Sequence, residues 1–143
     1  MVFNMRYLLL FFVLIGFYLK STGQVNDLQL AGNSTGIREI SLKECRAIFK
    51  GKYSNWKTNE QVIIVLPTSK NDVSQVVAKV IFDGTVKSMQ KFWLSLVFQG
   101  RSNPPIFLEN DQETIQYILK NPGAIGFVSS QTKVPKSISI ELK

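Results

Sequence analysis

Two segments decide the fold prediction: LKECRAIFKGKYSNW at residues 42–56 and NPGAIGFV at residues 121–128. Ser41 and Glu44 form a capping-box pattern before the first segment, in which each side chain accepts a hydrogen bond from an otherwise unpaired backbone N–H group. Apolar residues then recur at helical spacing up to Gly51, which favours the end of a helix. The second segment starts with a helix-terminating Asn-Pro-Gly and continues as a short apolar strand. A helix early in the fold and a buried strand late in it are therefore predicted.

The rest of the chain alternates between strand and helix patterns. Predicted strands cover residues 28–31, 61–66, 106–108, 124–128 and 137–142, and further helices begin at a cap on Asn71 or Asp72, at about Val86 and at Asp111. Residues 62–65 are continuously apolar, which is typical of a strand buried on both faces, whereas residues 137–142 alternate and predict an edge strand. Strands separated by helices of this length predict an α/β fold class: one domain, with a central sheet and helices on both faces.

Residues 1–23 have the pattern of a signal peptide. Arg6 precedes an apolar run from Tyr7 to Leu19, and Ser21-Thr22-Gly23 supplies small residues before a predicted cleavage at Gln24. As a helix this run spans roughly 20 Å at 1.5 Å per residue, which is short against a hydrocarbon core of about 30 Å. We therefore predict a folded domain at residues 24–143, a periplasmic or secreted location and no permanent membrane span. An uncleaved membrane tether is the alternative.

Composition narrows the possible chemistry. The chain has 17 Lys and Arg residues, of which Arg6 and Lys20 lie in the predicted signal, leaving 15 against 10 acidic residues and a net charge of +5. The basic residues are scattered, so we expect no nucleic-acid partner. Cys45 is the single cysteine and there is no histidine, which excludes an intramolecular disulfide and Ser-His or Cys-His catalysis. We expect no enzyme activity, no cofactor and no metal.

The two quoted segments together resemble one lobe of the phosphate-type periplasmic solute-binding proteins. The pattern of that family reads roughly Leu-Ser-x-x-Glu-x-x-x-Ile-Phe-x-Gly-Lys-x-x-x-Trp and, later, Pro-Gly-x-Ile-Gly-Tyr-Val, and the intervening Phe92-Trp93 also fits. The resemblance covers about residues 28–130. It implies a single lobe of the type 2 periplasmic binding fold, a small oxyanion such as phosphate as ligand, and an ABC permease as possible partner.

Polar residues follow two of the predicted strands. They are Asn33, Ser34 and Thr35 after the first strand, and Thr68, Ser69, Lys70 and Asn71 after the second. Hydroxyl groups, amide N–H groups and one ammonium suit an oxyanion, which accepts many hydrogen bonds. In open α/β sheets ligands bind beyond the carboxyl ends of strands, so we expect the two loops to converge on a shallow pocket. The same residue types also dominate ordinary turns and helix caps, which is the structural alternative for each of them.

The second loop departs from the family pattern. Phosphate binders of full length have Arg-x-x-Ser-Gly-Thr where this chain has Pro67-Thr68-Ser69-Lys70-Asn71-Asp72-Val73-Ser74. Lys70 supplies a point charge but not the bidentate fork of arginine, so weak or altered anion binding is expected. Two functions stay open. One is an exported, non-catalytic oxyanion-binding domain, with an accessory role in ABC transport as one option. The other is an envelope interaction protein that keeps the lobe fold without binding a solute.

Overall fold

A computed structural model describes residues 25–143. The predicted signal peptide at residues 1–23 and the predicted cleavage before Gln24 fall in residues 1–24, outside the described part of the chain. None of the helices between residues 25 and 143 has the length and apolar character needed to span a bilayer.

A six-stranded mixed sheet with helices on both faces makes up this part of the chain, as predicted. After a short 3₁₀ turn at Val25–Asp27, the elements are β1 (Leu28–Gly32), β2 (Glu39–Ile40), α1 (Leu42–Phe49), β3 (Ile63–Pro67), α2 (Ser74–Phe82), α3 (Val86–Phe98), β4 (Ile106–Leu108), α4 (Asp111–Lys120), β5 (Ala124–Ser129) and β6 (Ser139–Leu142). The strand order is β2-β6-β1-β5-β3-β4. β3 runs parallel to both β4 and β5, whereas β1 runs antiparallel to β5 and β6.

Local signals account for the helix positions. The capping box of Ser41 and Glu44 is present, and α1 ends one residue before Lys50, with Gly51 at a φ of +77°. Thr85 and Ser88 make an equivalent capping box for α3. The predicted cap of α2 is wrong: Val73 occupies the N-cap position, and no side chain bonds the first turn there.

The position of the last strand also differs from the prediction. β6 is an interior strand, because the two-residue strand β2 pairs with its outer side. The edges of the sheet are β2 and β4. A two-residue strand carries no period that a sequence pattern can reveal, which is why β2 was missed and the alternating segment beside it was predicted as the edge.

Two hydrophobic cores lie on the two faces of the sheet. The larger contains side chains from α1, α2 and α3, and includes the rings of Phe49 and Phe127, whose centroids are 4.7 Å apart. The smaller lies under α4 and centres on Ile118. β5 contributes to both cores: Ile125 and Phe127 face the larger, and Ala124 faces the smaller. This alternation fixes the register of the central strand, since a shift by one residue would exchange the two faces.

The two fold-deciding segments meet at Gly123. The indole Nε1 of Trp56 donates a hydrogen bond to the Gly123 carbonyl oxygen at 2.8 Å, and the backbone N–H of Ile63 donates to the same oxygen at 3.0 Å. The Gly123 N–H in turn donates to the carbonyl of Asn33 at 2.7 Å. A single residue thus joins the start of β5 to the start of β3 and to the end of β1. Its φ of +87° is in the left-handed region, where only glycine is unstrained.

Replacing Gly123 by alanine is expected to destabilise the domain by about 3 kcal/mol or more. A Cβ there would lie 2.0 Å from the Gln61 carbonyl oxygen, so a backbone clash adds to the left-handed penalty. Gly100 is the matched control, with a φ of +64° and no atom within 4 Å of the added Cβ. Gly100→Ala should therefore lower the free energy of unfolding only by the left-handed backbone penalty, about 1–2 kcal/mol. Urea unfolding measures both losses, and equal values would contradict the account of the Gly123 junction.

Candidate functional site

The candidate site lies at the edge of the sheet where β3, β4 and β5 end, called here the carboxyl edge. Because these three strands are parallel, the segments that follow them meet there: residues 68–73 after β3, residues 109–110 after β4 and residues 129–132 after β5. β1 starts at the same edge, since its Leu28 pairs with Ser129.

Two side chains of the β3–α2 loop, residues 68–73, hold its backbone in shape. The hydroxyl of Thr68 accepts a hydrogen bond from the Lys70 N–H at 3.3 Å. The Oδ1 of Asn71 accepts one from the Val73 N–H at 3.1 Å, and Asn71 is only 4% exposed. The Thr68 N–H donates to the Leu108 carbonyl at 2.9 Å, which ties the loop to the end of β4. For Thr68 and Asn71 the turn function proposed as the alternative is therefore present.

Lys70 and Ser69 instead face solvent. The Lys70 Nζ lies 3.2 Å from the Glu109 Oε1, with 75% of the lysine side chain and 55% of the glutamate side chain exposed. Ion pairs this exposed contribute little to stability, about 0–1 kcal/mol, because water and salt screen them. An incoming anion would therefore compete with Glu109 for the ammonium at small cost.

A shallow groove of about 1050 Å³ begins at this loop and runs along α2 to the start of α3. Its charged lining residues are Lys70, Lys79, Lys87, Asp27 and Asp72. Ser74, Gln75 and Val76, the first turn of α2, also line it. No side chain caps this turn, and the Ser74 N–H donates to the Asn71 carbonyl at 3.0 Å, so the positive end of the helix dipole borders the groove at Gln75 and Val76.

The first predicted loop lies at the opposite edge. Asn33 donates through Nδ2 to the carbonyls of Ile118 and Leu119, at the end of α4, at 2.9 and 3.2 Å. The Thr35 hydroxyl accepts from the Ile37 N–H at 3.2 Å, and Thr35 is buried. The Ser34 hydroxyl donates to the Asn33 Oδ1 at 3.1 Å. These side chains fasten the end of β1 to α4 and to its own turn.

The prediction that the two loops converge is wrong. It assumed that the first two strands are parallel, whereas β1 runs antiparallel to β5 and β3 runs parallel to it. Their carboxyl ends consequently lie at opposite edges of the sheet. Anion binding by Asn33, Ser34 and Thr35, or by Thr68, Ser69, Lys70 and Asn71, stays a prediction for each loop separately.

Sequence reasoning missed Glu109, Lys79 and Lys87 as neighbours of the loop. Glu109 directly follows β4, and the rule that parallel strands end at one edge would have placed it beside Lys70 once β3 and β4 were paired. No comparable rule predicts that Lys79 and Lys87 lie near the loop, because their positions depend on how α2 and α3 pack against each other.

Two features of residues 25–143 bear on reactivity, namely the environment of the Cys45 thiol and the spacing of the acidic side chains. Cys45 is fully buried, and burial raises the pKa of its thiol to about 12, so the nucleophilic thiolate is absent near neutral pH. Among the described residues, no group of three or more Cys, Asp or Glu side chains is arranged to hold a metal ion.

Comparisons with solved structures confirm the fold. The chain superposes on an ABC-type phosphate transport receptor from Vibrio cholerae with a TM-score of 0.53 and 15% sequence identity, over 81% of this chain and 46% of that one. A phosphate ABC transporter substrate-binding protein with bound phosphate from Clostridium perfringens gives 0.56 and 16%, over 81% and 44%. PstS from Borrelia burgdorferi gives 0.56 and 12%, over 82% and 47%.

This chain thus spans slightly less than half the length of each of these proteins. No protein-family model matches it, and no curated protein matches it in sequence. At these identities the likeness establishes the fold alone, that of one lobe of the phosphate-binding proteins, as the resemblance predicted.

Removing the Asn71 side chain is expected to cost stability. Asn71→Ala leaves the buried Val73 N–H without its partner, which should lower the free energy of unfolding by about 1–2 kcal/mol. Ser69→Ala, on the exposed side of the same loop, should stay within about 0.5 kcal/mol of the wild type. Urea denaturation of both variants tests this, and an unchanged Asn71→Ala would show that the turn does not depend on the amide.

The Cys45 thiol is expected to resist modification and to make stability pH-dependent. The folded state keeps the thiol protonated up to a pKa of about 12, whereas the unfolded chain releases the proton from about pH 8.5. Stability should therefore fall as pH rises between these values, and less steeply in Cys45→Ala. A disulfide reagent should label the native protein only after denaturant is added. Rapid labelling without denaturant would contradict this burial.

Proposed function

We propose that this chain is an exported, non-catalytic binding domain for a small oxyanion of the phosphate type, and that the β3–α2 loop is the binding site. The observation that carries the proposal is the position of Lys70: an exposed ammonium beside the uncapped first turn of α2, at the edge where parallel strands end. The shared fold adds support, since each of the three superposed solved structures is described as a phosphate transport receptor, a phosphate-binding transporter component or PstS.

The groups available at this site match an oxyanion. Lys70, Lys79 and Lys87 attract negative charge, and Ser69 offers a free hydroxyl at the surface of the loop. The positive end of the α2 dipole, which borders the groove at Gln75 and Val76, adds a field that favours an anion. Asp27 and Asp72 oppose them with two carboxylates on the groove. Because lysine binds as a point charge and the lining carries both signs, modest affinity is expected.

Affinity in this architecture also depends on enclosing the ligand. Residues 25–143 form one lobe, so an anion on the β3–α2 loop stays hydrated on its outer side, where water screens each contact. We propose that a second wall, supplied by another chain such as an ABC permease component or by a second copy, completes the site. A periplasmic or secreted location, with the signal peptide removed, belongs to the same proposal.

Substitution of Lys70 is expected to remove anion binding while leaving the fold unchanged. Phosphate at a hundredfold excess over its dissociation constant should stabilise the wild type by about 2.7 kcal/mol, a rise of several degrees in melting temperature. Lys70→Glu should abolish that rise, with the ligand-free melting temperature within about a degree of the wild type, because the Lys70–Glu109 pair is exposed. Differential scanning fluorimetry with phosphate and with sulfate measures both values.

Lys43→Glu is the matched control, with the same charge reversal on the exposed face of α1. It should retain the full phosphate response. An equal loss in both variants would indicate a general charge effect, and a wild type indifferent to both anions would remove the support for oxyanion binding.

The second candidate function is that of an envelope interaction protein without a solute. It is favoured by the hydrogen bonds of the β3–α2 loop, where the side chains of Thr68, Lys70 and Asn71 all have partners within the chain. Absence of any phosphate or sulfate response, with the fold intact, is the result that this function requires.

A further inference from the structure

The outer face of α3 carries large apolar side chains that the domain leaves uncovered. Leu94 is 57% exposed and Phe98 is 83% exposed, one helical turn further on. Phe107, on the neighbouring edge strand β4, is 37% exposed. Exposed apolar side chains are common singly, but clusters of them mark interaction surfaces.

Leu94 and Phe107 border a groove of about 540 Å³ between α3 and residues 104–107. We call it the α3–β4 groove. Its apolar lining residues are Trp93, Leu94, Val97, Pro104, Pro105 and Phe107. Trp93 is almost fully buried and belongs to the larger core, so one side of the groove is part of a packed structure. The two consecutive prolines stiffen the opposite wall.

The charges on the rim of the groove have one sign. Lys87 and Lys91 line it near the start of α3, and no acidic side chain is among its lining residues. They precede the apolar residues on the same helical face, since Lys87, Lys91, Leu94 and Phe98 follow one another at intervals of three or four residues. The groove is therefore apolar at one end and cationic at the other.

We propose that the α3–β4 groove is a docking site for a segment of another protein that carries apolar anchor residues next to acidic residues. The apolar anchors would cover Leu94, Val97 and Phe107, and the acidic residues would lie against Lys87 and Lys91. Desolvated apolar contacts of this kind supply most of the binding energy in protein interfaces, and complementary charge sets orientation and specificity. The stiff proline wall reduces the conformational entropy that binding must overcome.

Charge disfavours two other occupants. Residues 1–24 include a long apolar run, but their only charged side chains are Arg6 and Lys20, which the lysines of the rim would repel. A symmetric dimer through this face would set Lys87 and Lys91 against a second copy of the same groove, whose lining supplies no acidic side chain to pair with them. A concave groove is also a poor fit to the flat surface of a lipid bilayer, which would reach Phe98 and Leu94 but not the Trp93 wall.

Two pools of synthetic peptides test the proposal. Each peptide has about twelve residues with two central Leu or Phe anchors, flanked by Glu in one pool and by Lys in the other. Fluorescence anisotropy with the purified protein should show binding to the Glu-flanked pool and at least about tenfold weaker binding to the Lys-flanked pool. Equal binding to both pools, or binding to neither, would overturn the proposal.

Three variants locate the contact. Leu94→Asp should weaken binding of the Glu-flanked pool by about tenfold or more, and Lys91→Glu by severalfold with a reduced dependence on salt. Lys91 is substituted rather than Lys87 because Lys87 also lines the groove that begins at the β3–α2 loop. Leu119→Asp is the matched control: Leu119 is 45% exposed on α4, on the opposite face of the sheet, and its substitution should not change binding. Equal losses in Leu94→Asp and Leu119→Asp would overturn the proposal.

Two further measurements distinguish the remaining occupants. Light scattering should show no self-association that depends on Leu94, and sedimentation with phosphatidylglycerol vesicles should show no binding that depends on Leu94. A dimer dissociated by Leu94→Asp, or vesicle binding lost in that variant, would replace the peptide partner with a second copy or a membrane and overturn the proposal.

The docking surface does not require the anion site. Leu94→Asp should keep the phosphate response of the wild type, and Lys70→Glu should keep the binding of the Glu-flanked pool. A phosphate response without peptide binding would overturn the docking proposal alone, and peptide binding without a phosphate response would overturn the oxyanion proposal alone.

Discussion

The backbone of Gly123 is the junction on which the arrangement of this lobe depends. Its carbonyl accepts from the Trp56 indole and from the Ile63 backbone, and its N–H donates to Asn33. Three chain segments that are distant in sequence are therefore aligned at one edge of the sheet by donors and acceptors that would otherwise be buried without partners. The junction explains why a Trp and a Pro-Gly turn occur together in the two segments: each is needed to complete the hydrogen bonds of the other.

The two edges of the sheet differ in how many of their polar side chains have hydrogen-bond partners within the chain. At the edge of Gly123, the side chains of Asn33 and Thr35 make hydrogen bonds to backbone groups of the chain, and these bonds hold the end of β1 in place. At the carboxyl edge, the side chains of Ser69, Lys70 and Gln75 face water. Polar residues that look alike in sequence thus differ in availability, because availability depends on which partners the fold brings within reach.

The features that the sequence predicted well are those with local causes. The start of α1 follows from the Ser41–Glu44 capping box, and the extent of α3 from its apolar stripe. The features that failed are non-local. The direction of β1, the interior position of β6 and the pairing of β2 depend on contacts between segments that no short window of sequence contains. The same holds for the candidate site. The sequence predicted the β3–α2 loop, but it did not predict that Glu109 lies beside Lys70.

The short strands at the margins of the sheet have a consequence for behaviour in concentrated solution. β2 has two residues and β4 has three, so the sheet offers other chains only a few unpaired backbone groups, while the longer strands β1, β3 and β5 lie between neighbours on both sides. Pro104 and Pro105, just before β4, cannot donate backbone hydrogen bonds to an added strand. Growth of the sheet from one molecule to the next is thereby restricted, which disfavours fibrous aggregation through the sheet edges.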